Sequence, residues 1–549
     1  MKSNNKNIYI ISALFLLFFG IKAWISFYFK GTFFYSDEAC VVQKAAYLAQ
    51  RFSIESCSFV TNAPTGDPLP FYSILLAPVF IFFKGINGYF GSLVLNSLLT
   101  AGLIFPVFKI AEKFNPGKKI NILIAAIIPF LPQVIVYEKT LLTETAFLAV
   151  LIWGLWFYIK SFSKNPVRNK IITFIFFLAA TLTRPFGVIA LLAFGINEFI
   201  ISKKKKRTTL IVGPIIILGI TLAAIALPNL LPSVLGKIKM ITDPESLKLL
   251  VVAIKNQLNS FTIATCLIPI ILFFTFIFEK QPKELKNIRW FLLTFIALNF
   301  AASTNHIHDY LLDNDITNLI TRYISSSVVL LWIFALIFLN KYKKFKLHAL
   351  NFSLAILLLI SFFFLSFEKI KHSLNLDISL YYDTTKFFRN NVISSNDFIV
   401  YYFLPLCLIL FVLMIRNNKK ILTTVLAVFI LIQSGLLYAW EQNFTKVAAE
   451  KDSLYQYFKE EKTNIFLLTS YKKRAITFSY WNLLNLTENR VSVMYINDII
   501  DQTPAPDYNN ENFKTILSQY DYLVTIRKID GLGEPIKIIN EWGIYKITK

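Results

Sequence analysis

Apolar runs of about 20 residues recur along almost the whole chain, and short clusters of Lys and Arg separate them. Nothing else in the sequence constrains the fold as much. A run of that length matches the thickness of a bilayer core, where a helix satisfies all its own backbone groups. Hydrophobic residues make up 55% of the 549 positions and charged residues 16%, with a mean hydropathy of +0.56. A soluble chain of this size has no use for so much apolar surface. The net charge of +23 would fit a nucleic-acid binder, but its distribution excludes that reading. The cations sit in short loops such as Lys203, Lys204, Lys205, Lys206 and Arg207, which is the bias of cytoplasmic loops between membrane spans.

This bias sets an expected topology. Lys2 and Lys6 hold the N-terminus in the cytoplasm, and the run 8–29 is an uncleaved first helix that delivers residues 30–69 to the outside. The apolar stretch within 70–84 is too short to span and is read as a juxtamembrane or re-entrant segment. From there the runs alternate, and every strongly basic loop falls on one side. Roughly thirteen spans result, counting one such run per span. A break is expected at Arg184-Pro185, since proline ends or kinks a helix. The expected fold class is an α-helical polytopic membrane protein, with residues 1–440 in the membrane. Residues 441–549 form a small extracytoplasmic α/β domain, marked by β-like runs at 464–468, 491–495, 522–526 and 536–539. The expected location is the plasma (inner) membrane. Cys40 and Cys57 share the first outer loop, where a disulfide is permitted.

Charged residues at the edge of apolar helices are expensive unless they face a cavity or a partner. On the outer side the candidates are Asp37, Glu38, Asp67, Glu138, Lys139, Glu144, Arg184, His306, His308, Asp309 and Arg322. For Asp67, Glu138, His306 and His308 a solvated loop residue is an equal alternative. Phosphate-binding glycine loops, zinc-spaced Cys/His sets and serine-nucleophile elbows are absent from the sequence.

The order of these residues resembles membrane glycosyltransferases of the GT-C fold. A first outer loop opens with Asp37-Glu38, and Asp67-Pro68-Leu69-Pro70-Phe71-Tyr72 then turns into an aromatic apolar run. Leu142-Thr143-Glu144 precedes a helix, Leu182-Thr183-Arg184-Pro185 follows, and Arg322-Tyr323 opens a late helix. By this layout the chain is similar to the protein O-mannosyltransferases and the aminoarabinose transferases that act on lipid A, over roughly the first 340 residues. The Trp-Trp-Asp signature of oligosaccharyltransferases is absent.

The resemblance implies a polyprenyl-phosphate sugar as donor and a lipid, protein or glycan as acceptor, meeting at the extracytoplasmic face. Asp37 would be the general base, with Glu38 and Glu144 beside it in the catalytic set. Arg184, Lys139, Arg322 and Tyr323 would hold the lipid phosphate, and Asp67, Tyr72, His306 and His308 would make weaker substrate contacts. No cofactor is required. A divalent metal on Asp37 and Glu144 is left open, because some members of the fold use one. Two other classes share the membrane setting: a lipid-linked sugar transporter or flippase, and a polysaccharide polymerase or O-antigen ligase. A transporter would place its ionisable residues near mid-membrane on broken helices of related halves. Here they cluster at helix ends, and no second half is seen.

Overall fold

The computed structural model describes residues 2–28, 36–52, 70–83, 85–163, 165–202, 244–265, 268–278, 283–314 and 323–341. It also describes short pieces at 421–435 and 457–458, and parts of a C-terminal sheet between 463 and 547. The expected spans near 208–227, 348–367 and 398–414 lie outside these residues, as do Asp67, Arg322 and Cys57.

Fourteen helices are followed here, in chain order: α1 (Lys2–Tyr28), α2 (Ser36–Arg51), α3 (Pro70–Phe82), α4 (Gly85–Gly102), α5 (Ile104–Phe114), α6 (Ile120–Ile127), α7 (Pro132–Glu138), α8 (Glu144–Ser161), α9 (Pro166–Thr183), α10 (Val188–Ser202), α11 (Pro244–Thr265), α12 (Ile268–Phe278), α13 (Lys283–Asn314) and α14 (Ser325–Lys341). Among the described residues three helices are long and apolar enough to cross a membrane: Asn7–Phe27, Asn87–Phe114 and Pro166–Thr183. A fourth span is broken, with Ile120–Phe130 and Pro132–Glu138 meeting at 46°. Pro129 and Pro132 account for that bend, since neither offers an amide hydrogen to the helical ladder. The chain is an integral membrane protein. Apolar residues cover the outside of α1, where Ile8, Leu16, Leu17, Trp24 and Phe27 are all exposed. A stripe of Ile11, Phe15, Phe18, Lys22 and Ser26 turns inward, at spacings of three and four residues.

The chain divides into two compact units. One comprises Met1–Gly20, Leu99–Tyr137 and Glu144–Trp440. Its core is built from α5, α6, α8 to α10 and α12 to α14, and the most buried helix is α14, where every residue from Val328 to Leu339 is at most 3% exposed. A helix apolar on all sides is what such a central position requires. The break at Arg184-Pro185 is present. Arg184 is extended (φ −147°, ψ 145°), as the residue before a proline prefers, and the 3-10 turn Pro185–Gly187 starts the chain back along α10.

The other unit comprises Ile21–Leu98, Glu138–Thr143 and Glu441–Lys549. In it α2 packs on α3, and Ser73 Oγ donates to the carbonyl of Val41 at 3.1 Å. Residues 36–51, expected within a loop, are therefore helical. Ser36-Asp37-Glu38 supplies a reason, because acids in a first turn complement the helix dipole. The apolar stretch from 70 is a helix of 13 residues, about 20 Å long at 1.5 Å per residue. Cys40 is disulfide-bonded, and its partner lies outside the described residues. The sheet runs in the order β2-β1-β3-β5-β4, formed by β1 (Asn464–Ser470), β2 (Arg490–Ile496), β3 (Tyr522–Thr525), β4 (Lys537–Ile539) and β5 (Trp542–Lys546). Strands β2, β1 and β3 are parallel, while β5 runs against both β3 and β4. Ile465, Phe466, Leu467 and Leu468 of β1 are all buried, so its apolar run does not alternate, as suits a central parallel strand.

Gly187 leaves no room for a side chain. A Cβ there would come within 2.3 Å of the carbonyl of Ala180 and 2.4 Å of the amide of Thr181, both backbone atoms. Gly187→Ala should therefore cost about 1–3 kcal/mol or more by overpacking. Thermal unfolding of the purified variant should show a clearly lowered midpoint, and an unchanged midpoint would contradict the packing at this break.

Candidate active site

The acids and bases singled out in the sequence fall into two groups, one in each unit. In the first unit, Glu144 opens α8 and Arg184 stands at the break between α9 and α10. Arg184 Nη1 lies 2.7 Å from Glu144 Oε1, and the two residues are 7% and 3% exposed. The helix break lets a long cation leave the helix line sideways and reach a carboxylate on the neighbouring helix. Around it the guanidinium carbon is 5.8 Å from the ring of Tyr323 and 6.0 Å from that of Phe186. Those two rings stack with centroids 5.3 Å apart, and His306 Nε2 meets the Tyr323 hydroxyl at 2.8 Å. Four residues far apart in sequence, Glu144, Arg184, His306 and Tyr323, thus form one cluster.

Beside it is a small cavity with both polar and apolar lining. Glu144, Thr145, Thr100, Gln133, Ser325 and Ser326 contribute its polar lining. His308 is not part of this group. Its Nε2 is held by the hydroxyl and carbonyl of Ser246 at 3.1 and 3.0 Å, on a helix that continues to Asn314.

In the second unit the charges organise the turn after α7. Glu138 is fully buried and accepts from Lys22, from Lys139 at 3.0 Å and from Ser97 Oγ at 3.1 Å. Lys139 Nζ also reaches Ser26 Oγ at 2.7 Å and the carbonyl of Lys22 at 3.1 Å. An ammonium has three protons, and these three protein acceptors engage them. In this structure Lys139, expected to meet a lipid phosphate, makes these internal contacts. Glu38, also fully buried, accepts the Tyr89 hydroxyl at 2.9 Å and the Leu141 amide at 2.6 Å. Asn96 donates to the carbonyls of Glu138 and Thr140 at 3.3 and 2.8 Å, and Tyr72 in turn donates to Asn96 Oδ1 at 2.6 Å. Tyr72, expected as a substrate contact, belongs to this scaffold. Side chains from α2 and α4 thus satisfy the backbone of the turn, while Lys22 and Ser26 of α1 hold the side chains of Glu138 and Lys139. Asp37 lies in the first turn of α2, next to Glu38.

Lys22, Ser26, Asn96 and Ser97 were missed from sequence. Lys22 carried a usable signal, being the only charged residue in the run 8–29. Asn96 and Ser97 carried none beyond polarity in an apolar helix. A divalent ion would need several converging oxygens. Among the described residues no three His, Cys, Asp or Glu side chains converge, and Glu144 already faces a guanidinium.

No protein-family model matches the chain, and no curated protein matches it. Among solved structures it is similar to ArnT from Cupriavidus metallidurans. The apo crystal structure shares 11% identity at a TM-score of 0.45, covering 93% of this chain and 92% of that one. The structure bound to undecaprenyl phosphate shares 10% identity at a TM-score of 0.49, covering 94% and 92%.

The Lys22–Glu138–Lys139 cluster makes an ordered prediction. Glu138→Gln leaves two buried cations without their carboxylate and should cost about 3–5 kcal/mol. Lys22→Met leaves the neutral Glu138–Lys139 pair and should cost less. Thermal unfolding of both variants in one detergent checks the order, and a larger loss from Lys22→Met would reverse it.

Proposed function

We propose that the chain is a membrane glycosyltransferase that moves one sugar from a polyprenyl-phosphate donor to a hydroxyl acceptor at the extracytoplasmic face. The observation that carries the reading is the buried Glu144–Arg184 pair at a helix break, ringed by Phe186, Tyr323 and His306. A guanidinium has five N–H donors, so one contact with Glu144 does not exhaust it. Its planar fork suits a phosphate, and Glu144 fixes the direction in which the fork points. The small cavity next to Glu144 gives a polar group somewhere to sit inside an otherwise apolar bundle.

In the proposed reaction the acceptor oxygen bonds to the anomeric carbon as the bond from that carbon to the phosphate oxygen breaks. The acceptor proton goes to a carboxylate, assigned by the sequence resemblance to Asp37. Negative charge grows on the departing lipid phosphate, and Arg184 meets it, with Arg322 as a second cation ahead of Tyr323. Glu38 and Lys139 act by positioning, since their polar groups hold the turn 138–141. Which sugar moves, and to what, is set elsewhere than in these charges.

Two variants test the roles. Asp37→Asn keeps the shape and should lower single-turnover transfer by about 10²–10⁴ while donor binding survives. The double variant Glu144→Gln/Arg184→Gln removes both charges together, so no lone ion is left buried. It should weaken polyprenyl-phosphate binding by about tenfold or more, the worth of one charged hydrogen bond. Normal transfer by Asp37→Asn would pass the base to another carboxylate. Normal lipid-phosphate affinity in the double variant would remove Arg184 from that role.

A further inference from the structure

Helices α11 and α13 lie antiparallel in the first unit. Ser246 meets His308, Ala253 packs on Ile307, Gln257 Nε2 donates to Ser303 Oγ at 2.6 Å, and Phe261 packs on Phe300. Between these contacts lie polar side chains that apolar packing does not need. Asn256 is 5% exposed, Thr304 is 4% exposed, and Gln257, Asn299, Ser303 and Ser327 are fully buried. Four of their polar atoms have no hydrogen-bond partner among the described residues: Asn256 Nδ2, Gln257 Oε1, Asn299 Nδ2 and Thr304 Oγ1. An unsatisfied buried group costs about 1–3 kcal/mol, so four along one pair of helices call for an occupant.

The first turn of α14 joins this seam to the cavity beside Glu144. Ser327 Oγ donates to Asn299 Oδ1 at 3.0 Å, while its neighbours Ser325 and Ser326 line the cavity. Gln133, another residue of its lining, has its Oε1 buried and without a partner as well. Chemistry narrows the occupant. The open atoms mix amide donors, an amide acceptor and a hydroxyl that does either, and no ionised side chain is among them. A phosphate would select donors and cations. A divalent ion would select oxygens alone. A hydrocarbon tail would leave the polar atoms unsatisfied. A ring of neighbouring hydroxyls, each both donor and acceptor, answers all of them.

We propose that the α11–α13 seam, closed by the first turn of α14, binds the hydroxyls of a sugar ring, with Asn256, Gln257 and Asn299 as its specificity-determining residues. The inference rests on the glycosyltransferase reading above, because it places the glycosyl group next to the Glu144 cavity.

The test uses the full chain in lipid nanodiscs and the double variant Asn256→Leu/Gln257→Met. The probes are bare polyprenyl phosphate, polyprenyl-phosphate mannose, glucose and arabinose, and soluble mannose, glucose and arabinose oligosaccharides. Wild type should bind at least one sugar-bearing probe at least tenfold more tightly than its sugar-free or non-cognate counterparts. The variant should lose that preference, keep its affinity for bare polyprenyl phosphate within about twofold, and unfold at the same or a higher temperature. The last point follows because the bond from Gln257 to Ser303 Oγ that is given up is offset by removing two unpaired buried atoms, Gln257 Oε1 and Asn256 Nδ2. Loss confined to the lipid-linked probes makes the sugar the donor's, and loss confined to soluble glycans makes it the acceptor's. A preference that survives in the variant overturns the proposal, as does a wild type with no preference among any of the probes. A variant that unfolds earlier and also loses bare lipid phosphate overturns it too, by showing a structural role. Failure of wild type to bind bare polyprenyl phosphate speaks against the Arg184 reading instead, and the soluble-glycan arm still decides the seam.

Discussion

A charge buried among apolar helices must be paired or solvated inside the protein, and this requirement shapes both units of the molecule. Stripping a carboxylate or an ammonium of water costs several kcal/mol even after relaxation. The chain meets that cost with compact ion pairs whose remaining valences go to hydroxyls, amides and backbone groups. Glu138 is satisfied by two lysines and Ser97, Glu144 by Arg184, and Glu198 by Lys170 and the Tyr158 hydroxyl. Such clusters are poor at adding stability relative to apolar packing, but they fix geometry, because removing one partner strands the other.

The turn 138–141 shows what that geometry is for. Beyond Glu138, the last residue of α7, it is not helical, yet its polar groups are buried, so each needs a side chain directed at it. Glu38 takes the Leu141 amide, and Asn96 takes the carbonyls of Glu138 and Thr140. The turn runs directly into Glu144, the first residue of α8. In the other unit the break at Arg184-Pro185 uses a different device for the same end. Proline stops the helix, the extended Arg184 projects, and Gly187 allows the backbones to close to a distance no side chain would permit. The buried polar seam along α11 and α13 gathers four unsatisfied atoms on one pair of helices, which is why we read it as a ligand site.

Much of this was readable in the residues, and the failures have physical causes. The apolar runs and the Arg184-Pro185 break follow from period and proline chemistry, and four of the five strands follow from short β-branched and aromatic runs. Strand β5, Trp542–Lys546, is hard to read because it is only 5 residues long and carries a glycine, which has low strand preference. The helix of residues 36–51 was missed because Asp37-Glu38 was read as chemistry and not also as a helix start. Glu144 and Arg184 were legible because charge at a helix end is conspicuous. The internal roles of Lys139 and Tyr72 were not, since no sequence shows whether a polar tip meets substrate or a neighbouring helix. Lys22 was hidden by averaging over its apolar neighbours.

The central claim is that Arg184 receives the phosphate of a lipid-linked donor. A structure of the full chain with bound polyprenyl phosphate would test it most directly. The account predicts phosphate oxygens at about 2.7–3.0 Å from the guanidinium nitrogens of Arg184, with the Glu144 contact retained. Phosphate bound instead beside Lys170 and Glu198, with Arg184 making no contact to it, would contradict the account.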